Sequence, residues 1–293
     1  MRMRCMCVVI HGPNDLRVEE QDAGEIGPGQ VRVDVAMGGI CGSDLHYFRH
    51  GGFGAIRLQQ PMVLGHEVAG TVAEVAPDVT SVKAGDRVAV NPSRPCGACR
   101  YCLEGLPNQC LDMRFYGSAM RMPHVQGAFR NALVCDAVQC VKVADHVPLS
   151  LAVASALGAD RTINAAADAG WVERYGADKG TFDVMIECSG NARALRDGLD
   201  VMRPRGIVVQ LGLGGDVSLP QNVVVAKELS ICGSFRFHAE FALAVQLINA
   251  GRVDLRPAVT RVFPMRDANR AFELAGDRQR AMKVLIDFAN DAA

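Results

Sequence analysis

Two short runs carry the residues that could do chemistry. Gly39-Ile40-Cys41-Gly42-Ser43-Asp44-Leu45-His46-Tyr47 supplies a thiol and a hydroxyl, and Gly65-His66-Glu67-Val68-Ala69-Gly70 supplies an imidazole beside a carboxyl. Cys41, His66 and Glu67 make a set of three metal donors. Such a set leaves zinc a fourth position for a substrate oxygen, as catalytic zinc requires. Each piece alone has an ordinary reading: a lone Cys is commonly a small buried hydrophobe, and a His-Glu pair commonly faces solvent. A second cluster, Cys96, Cys99, Cys102 and Cys110, has the spacing Cys-x2-Cys-x2-Cys-x7-Cys in a loop bearing Gly and Pro. Four thiolates so close in sequence can close a tetrahedron about zinc with no open position, a structural role. Related spacings serve iron–sulfur ligation, and four free thiols in a reducing cell is the plain alternative. Zinc is the favoured reading, because a short loop with four thiolates otherwise has little reason to order.

Strands must hold these residues in place. From Cys5 to about Ser150 the chain is a series of short β-rich runs, Val31–Val35, Val68–Val75, Arg87–Val90, Ala132–Val134 and Cys140–Val143, punctuated by Gly, Pro and Asp. This predicts a β-barrel-like domain. Beyond it, Phe182–Cys188 and Gly206–Leu211 are compact apolar strands around a helical Ala192–Met202 segment, the grammar of a parallel βαβ unit. Val259–Val262 and Lys283–Phe288 read as strands flanking a helical Asp267–Ala275 stretch that could return to the first domain. The fold class is α/β with a β-rich first domain, divided as 1–152, 153–254 and 255–293.

The 293 residues include 49% hydrophobic side chains, enough for two cores, and carry 31 basic against 32 acidic residues for a net charge of −1. Charges are scattered, so no nucleic-acid footprint is expected. No run is long and apolar enough to span a bilayer, and a small molecule is the expected partner. The apolar stretch Cys5–Ile10 lacks the small-residue cleavage pattern of a secretion signal, which points to the cytoplasm. Eleven cysteines in a chain of this size fit reduced thiols and metal ligands better than a disulfide scaffold.

The residues themselves resemble the zinc-containing medium-chain alcohol and polyol dehydrogenases. Gly65-His66-Glu67-x2-Gly70-x5-Ala76-x2-Val79 matches that family's zinc signature, and Gly85-Asp86-Arg87-Val88 and the four-cysteine lobe fall at family spacing. The resemblance implies a GroES-like catalytic domain, a Rossmann-like cofactor domain, two zincs per chain, NAD or NADP, and a dimer or tetramer. It implies that Cys41, His66 and, in the polyol branch, Glu67 bind the catalytic zinc, and that Ser43 and His46 relay the alcohol proton to solvent. By the same resemblance Tyr47 and Arg236 contact substrate. An Arg fork suits vicinal hydroxyls or the carboxylate of a sugar acid, and pairing with a neighbouring acid is its plain alternative. Pro92–Cys99 and Arg114–Met120 resemble the corresponding stretches of L-idonate 5-dehydrogenases, so oxidation of a secondary alcohol of a sugar acid or polyol is the expected reaction; sorbitol, xylitol and threonine remain alternative substrates.

One part of the family pattern is missing. A dinucleotide-binding half opens with a strand, a glycine-rich turn and a helix whose amides hold pyrophosphate, then an acidic residue about 20 positions on. Between Ala152 and Asn164 the chain instead passes from the end of the catalytic domain to what resembles the end of the second nucleotide-binding helix. About 50 residues of the pattern are absent, including the first βαβ unit and a Glu-Pro pair near the zinc. The later cluster Gly212-Leu213-Gly214-Gly215 precedes Pro220 rather than a helix and reads as a turn. What survives resembles the nicotinamide side of the cleft, where Cys188, Ser189, Gly190, Leu211 and Gly212 would contact cofactor. The alternative to a dehydrogenase is a zinc-bearing remnant with cofactor binding lost.

Overall fold

The computed structural model describes residues 3–147, 163, 165, 167–277 and 279–290. The junction at 152–164 lies, but for Ile163, outside them. Contacts divide the chain into two compact units, Met1–Leu157 with Phe237–Ala293, and Gly158–Arg236.

The first unit contains the strands β1 (Arg4–Gly12), β2 (Asp15–Asp22), β3 (Gln30–Gly39), β4 (Met62–Val63), β5 (Val68–Val75), β6 (Arg87–Val90), β7 (Ala132–Asp136) and β8 (Cys140–Lys142), with helix α1 (Gly42–His50) between β3 and β4. Period-two patterning sets their faces: Val31, Val33 and Val35 of β3 point into the core while Arg32 and Asp34 point away. The second unit runs β9 (Phe182–Glu187), α2 (Ala192–Val201), β10 (Met202–Gln210), α3 (Gln221–Ala226), β11 (Ser230–Gly233). The chain then returns to the first unit through α4 (Ala239–Asn249), β12 (Val259–Pro264), α5 (Ala268–Ala275) and β13 (Lys283–Asp287).

The large sheet has the order β8-β6-β5-β3-β13-β12. One edge of β3 pairs with β5 along its length, and the other is shared: residues 30–34 pair antiparallel with β7, and residues 37–39 with β13. A smaller sheet, β2-β1-β4, closes over the same core, in which Ile10, Val33, Phe129, Phe272 and Ile286 are sealed from solvent. Helix α4 packs here too, with Val245 against Ala89, Val143 and Val147, while the Asn249 amide bonds Ala144 N–H and the Lys142 carbonyl.

The second unit departs from the sequence reading at one boundary. Helix α2 stops at Val201 and strand β10 begins at once, so Met202 opens a strand, four residues before the expected start at Gly206. Within this earlier stretch lies Pro204, which cannot donate to a ladder. The structure places it in an irregularity between the pairs Phe182↔Met202 and Val184↔Ile207, where Arg205 takes φ 63° and no ladder donor is needed.

Candidate metal centre

Cys41 is the N-cap of α1, immediately after β3 ends. Its Sγ takes the backbone N–H three residues on, and Asp44 returns the contact by accepting from Cys41 N–H at 3.0 Å. His66 and Glu67 lead into β5, and the Glu67 carbonyl accepts from Gly39 N–H at 2.8 Å, fixing the second ligand run beside the first. One donor atom each from Cys41, His66 and Glu67 lies within 4.8 Å of the others, with His66 buried and the other two half-buried. Two loops far apart in sequence thus converge on a thiolate, an imidazole and a carboxylate, a fit for zinc with a position to spare.

Asp44, which the sequence reading passed over, locks the two runs together. It is 1% exposed, accepts from Gly65 N–H at 3.1 Å, and lies 3.6 Å from His66 Nδ1. Burial pushes its carboxyl up, against the pull of His66 and the Cys41 and Gly65 amides. Burial would push the His66 imidazole down, but Asp44, then Cys41 and Glu67, hold it up at about 9. A carboxylate behind a metal-binding histidine orients the ring and raises its basicity. The only signal for it in the sequence was an acid in the first turn of a helix.

Ser43 is half-buried and His46 exposed; three apart on α1, they share a face. Tyr47 is turned inward, 1% exposed, its hydroxyl accepting from Ala119 N–H at 2.9 Å. Lys283, at the start of β13, also reaches the centre: its Nζ contacts Glu67 Oε2 and donates to the Ile40 carbonyl at 3.2 Å. Burial pushes this ammonium down, and Glu67 more than restores it, so its pKa lies above the ordinary value.

The second cluster also assembles. Cys96, Cys99, Cys102 and Cys110 bring their sulfurs within 4.8 Å of one another. Backbone N–H groups point at them, Cys96 and Asp112 to Cys110 Sγ at 3.2 and 3.3 Å, and Cys99 to Cys96 Sγ at 3.3 Å. The amides of Leu111 and Cys102 hold the Cys99 thiol down to about 6, preparing a thiolate.

In the second unit Cys188, Ser189, Gly190, Leu211 and Gly212 come together at the carboxyl ends of β9 and β10. Their organiser is Glu187, 3% exposed, which accepts from Gly190 N–H, the Ser189 hydroxyl and amide, and Gln210 Nε2. The two turns pack so closely that a Cβ on Gly212 would lie 2.1 Å from Gly190 N. The α2 amides of Arg193 and Ala194 are taken by the Asn191 side chain at 2.9 and 3.2 Å. Arg236, at the end of this unit, has φ 58° and lies over the Phe235 ring at 4.5 Å.

Residues 27–145 match the family described as the alcohol dehydrogenase GroES-like domain, and residues 125–250 the one described as zinc-binding dehydrogenase. L-idonate 5-dehydrogenase (NAD(P)(+)) of Escherichia coli (strain K12) is 34% identical over 348 aligned positions that take in 98% of this chain and 100% of the relative. The chain belongs to the zinc-binding alcohol dehydrogenase family. Within the family it is also 33% identical to D-xylulose reductase A of Aspergillus niger, over 90% of this chain and 92% of that one. The crystal structure of L-idonate 5-dehydrogenase from Escherichia coli str. K-12 substr. MG1655 shares the fold at a TM-score of 0.90 and 32% identity, covering 98% of this chain and 99% of that chain. Since 348 aligned positions meet a chain of 293 residues, at least 55 of them face no residue here, in keeping with the gap read from the sequence. Among the described residues no helix is long and apolar enough to cross a membrane.

Proposed function

We propose that the Cys41/His66/Glu67 centre binds zinc and, at its open position, a secondary hydroxyl of a sugar acid or polyol, with L-idonate as the leading substrate. One observation carries this reading: three unlike donors converge from two separate loops, in a chain 34% identical to an L-idonate 5-dehydrogenase. When bound, zinc supplies Lewis acidity toward the hydroxyl oxygen, so that the proton can leave near neutral pH. The residues do the rest. Cys41 and Glu67 give anionic donors and His66 a neutral one backed by Asp44. Ser43 takes the hydroxyl proton and His46, exposed on the same helical face, passes it to water. The four-cysteine lobe holds a second, structural zinc. The kinship with D-xylulose reductase A supports a polyol as the alternative substrate.

The family's relative is named for NAD(P), but the described residues of the second unit do not fit a dinucleotide. Its sheet runs β9-β10-β11 in sequence order, and α2 and α3 both pack on one face, against Met185, Val208 and Leu229. Parallel sheets bind dinucleotides where the strand order reverses; among the described residues no such reversal exists. The amides at the end of β9 already serve Glu187, and those of α2 serve Asn191. The opposite face leaves Val184, Ile186 and Ile207 exposed at 53%, 63% and 42%. This topology favours a second reading, a zinc protein that binds and ionises alcohols without turning over NAD(P). Three measurements on the zinc- or cobalt-loaded chain separate the readings: nicotinamide absorbance with L-idonate and xylitol, NADH fluorescence, and the cobalt spectrum with L-idonate. Turnover establishes the dehydrogenase. A cobalt spectrum moved by L-idonate without NADH binding establishes the second reading, and neither response discards the proposal.

A further inference from the structure

Lys283 lies 216 residues from Glu67 in the chain and is not part of either ligand run, yet its Nζ touches both of them. It contacts Glu67 Oε2 and donates to the carbonyl of Ile40, the residue before Cys41, at 3.2 Å. The strand that carries it is stitched to the same loop, since Ile40 N–H donates to the Val284 carbonyl at 3.1 Å. Its side chain is 17% exposed and that of Glu67 27%, so the contact is largely shielded from water. A carboxylate has two oxygens. With Oε2 engaged by the ammonium the other oxygen is left as a donor, and the Glu67 carboxylate lies within 4.8 Å of the Cys41 and His66 donors.

Resting on the zinc reading of this centre, we infer that Lys283 is a positioning residue, which holds one oxygen of Glu67 so that the other is aimed at the metal. A free glutamate has several rotatable bonds to immobilise on becoming a ligand. Here that freedom is given up when the C-terminal strand docks, before any metal arrives. The ammonium touches neither metal nor alcohol, and its effect passes through Glu67. Partners that orient metal ligands in this way typically account for about 10- to 100-fold in metal affinity.

The opposite effect is also physically possible: an ammonium that competes with the metal for the carboxylate would weaken binding, and its removal would tighten it. Lys283→Met keeps the alkyl stem and deletes the charge, Lys283→Arg keeps a charge, and Lys283→Gln serves if the Met variant does not fold. The affinity of the centre for zinc and cobalt is measured by chelator competition, with the cobalt–thiolate and d–d bands reporting geometry and the lobe's zinc and circular dichroism reporting folding. The expected result is a loss of about 10- to 100-fold in affinity and altered d–d bands in Lys283→Met, recovery to within a few-fold in Lys283→Arg, and an unchanged lobe. Equal or tighter binding by folded Lys283→Met overturns the inference alone. A parent chain that gives no cobalt–thiolate band at the centre removes the metal site, and the inference with it.

Discussion

Gly65→Ala tests whether the loop that presents His66 is held by packing as well as by hydrogen bonds. Gly65 has φ 90°, a region that costs a residue with a Cβ about 1–2 kcal/mol. An added Cβ would lie 2.0 Å from Phe129 Cδ1 and 2.2 Å from Cγ, where carbon atoms rest at about 3.5–4.0 Å. The ring cannot simply retreat. Phe288 lies 5.8 Å away and Phe272 meets it edge-on at 6.4 Å, while a Cβ on Gly38 would already be 2.8 Å from it. Forcing extra volume into such a site costs about 1–3 kcal/mol, so the total expected is about 2–5 kcal/mol. For a unit of this size that lowers Tm by about 5–15 °C. Because Gly65 N–H also donates to Asp44, displacing the loop should release the centre's metal and spare the lobe's. The assay is thermal unfolding by near-ultraviolet circular dichroism with metal content, repeated in a Phe129→Ala background. There the cost of Gly65→Ala should fall to the backbone part, about 1–2 kcal/mol. A variant melting within about 2 °C of the parent, or an equal cost in both backgrounds, refutes the argument.

Asp44→Asn should weaken zinc at the centre about 10- to 100-fold in chelator competition, because the group that orients His66 loses its charge; unchanged affinity would remove Asp44 from the metal site. Cys99→Ser should lower the metal content from two per chain to one, leave the cobalt–thiolate band of the centre in place, and open the 96–110 loop to protease; loss of both metals would show that the sites are not independent. Glu187→Gln should destabilise the second unit at neutral pH and flatten its acid sensitivity. Burial pushes the Glu187 carboxyl up, but the Ser189 hydroxyl, the amides of Gly190 and Ser189, and Gln210 outweigh it and leave the pKa below the ordinary 4.5. Its contribution is therefore complete above that value and lost as pH falls through the folded pKa, so parent and variant melting curves should converge as pH falls below the ordinary 4.5. Curves that stay parallel would count against the assignment.

The donors were legible because their chemistry is local. Cys96 to Cys110 announce a metal by spacing alone, and His66-Glu67 abuts a strand whose alternation, Val68–Val75, is equally plain. Asp44 was not legible, since its meaning depends on the amide of Gly65, 21 residues on and across a fold. Lys283 was less so, because only the antiparallel seam between β13 and residues 37–39 brings it to Glu67. Tyr47 came from the resemblance alone; what the sequence did not show is the packing of its ring and the bond from Ala119 N–H to its hydroxyl, which the 118–119 turn supplies. The early start of β10 at Met202 was not legible, because Pro204 enters the strand only where the ladder skips it.

The shared edge of β3 governs the order in which this molecule can be finished during synthesis. Its first half is matched by β7, available once the chain is made as far as Asp136, whereas its second half waits for β13, which follows the whole intervening unit. Until then Phe129 lacks its neighbour Phe288, and Glu67 lacks its cationic companion. The nascent barrel must therefore idle with a half-dressed central strand while the intervening unit is made, and a chain that stopped before Lys283 would forfeit both the seam and the grip on the carboxylate.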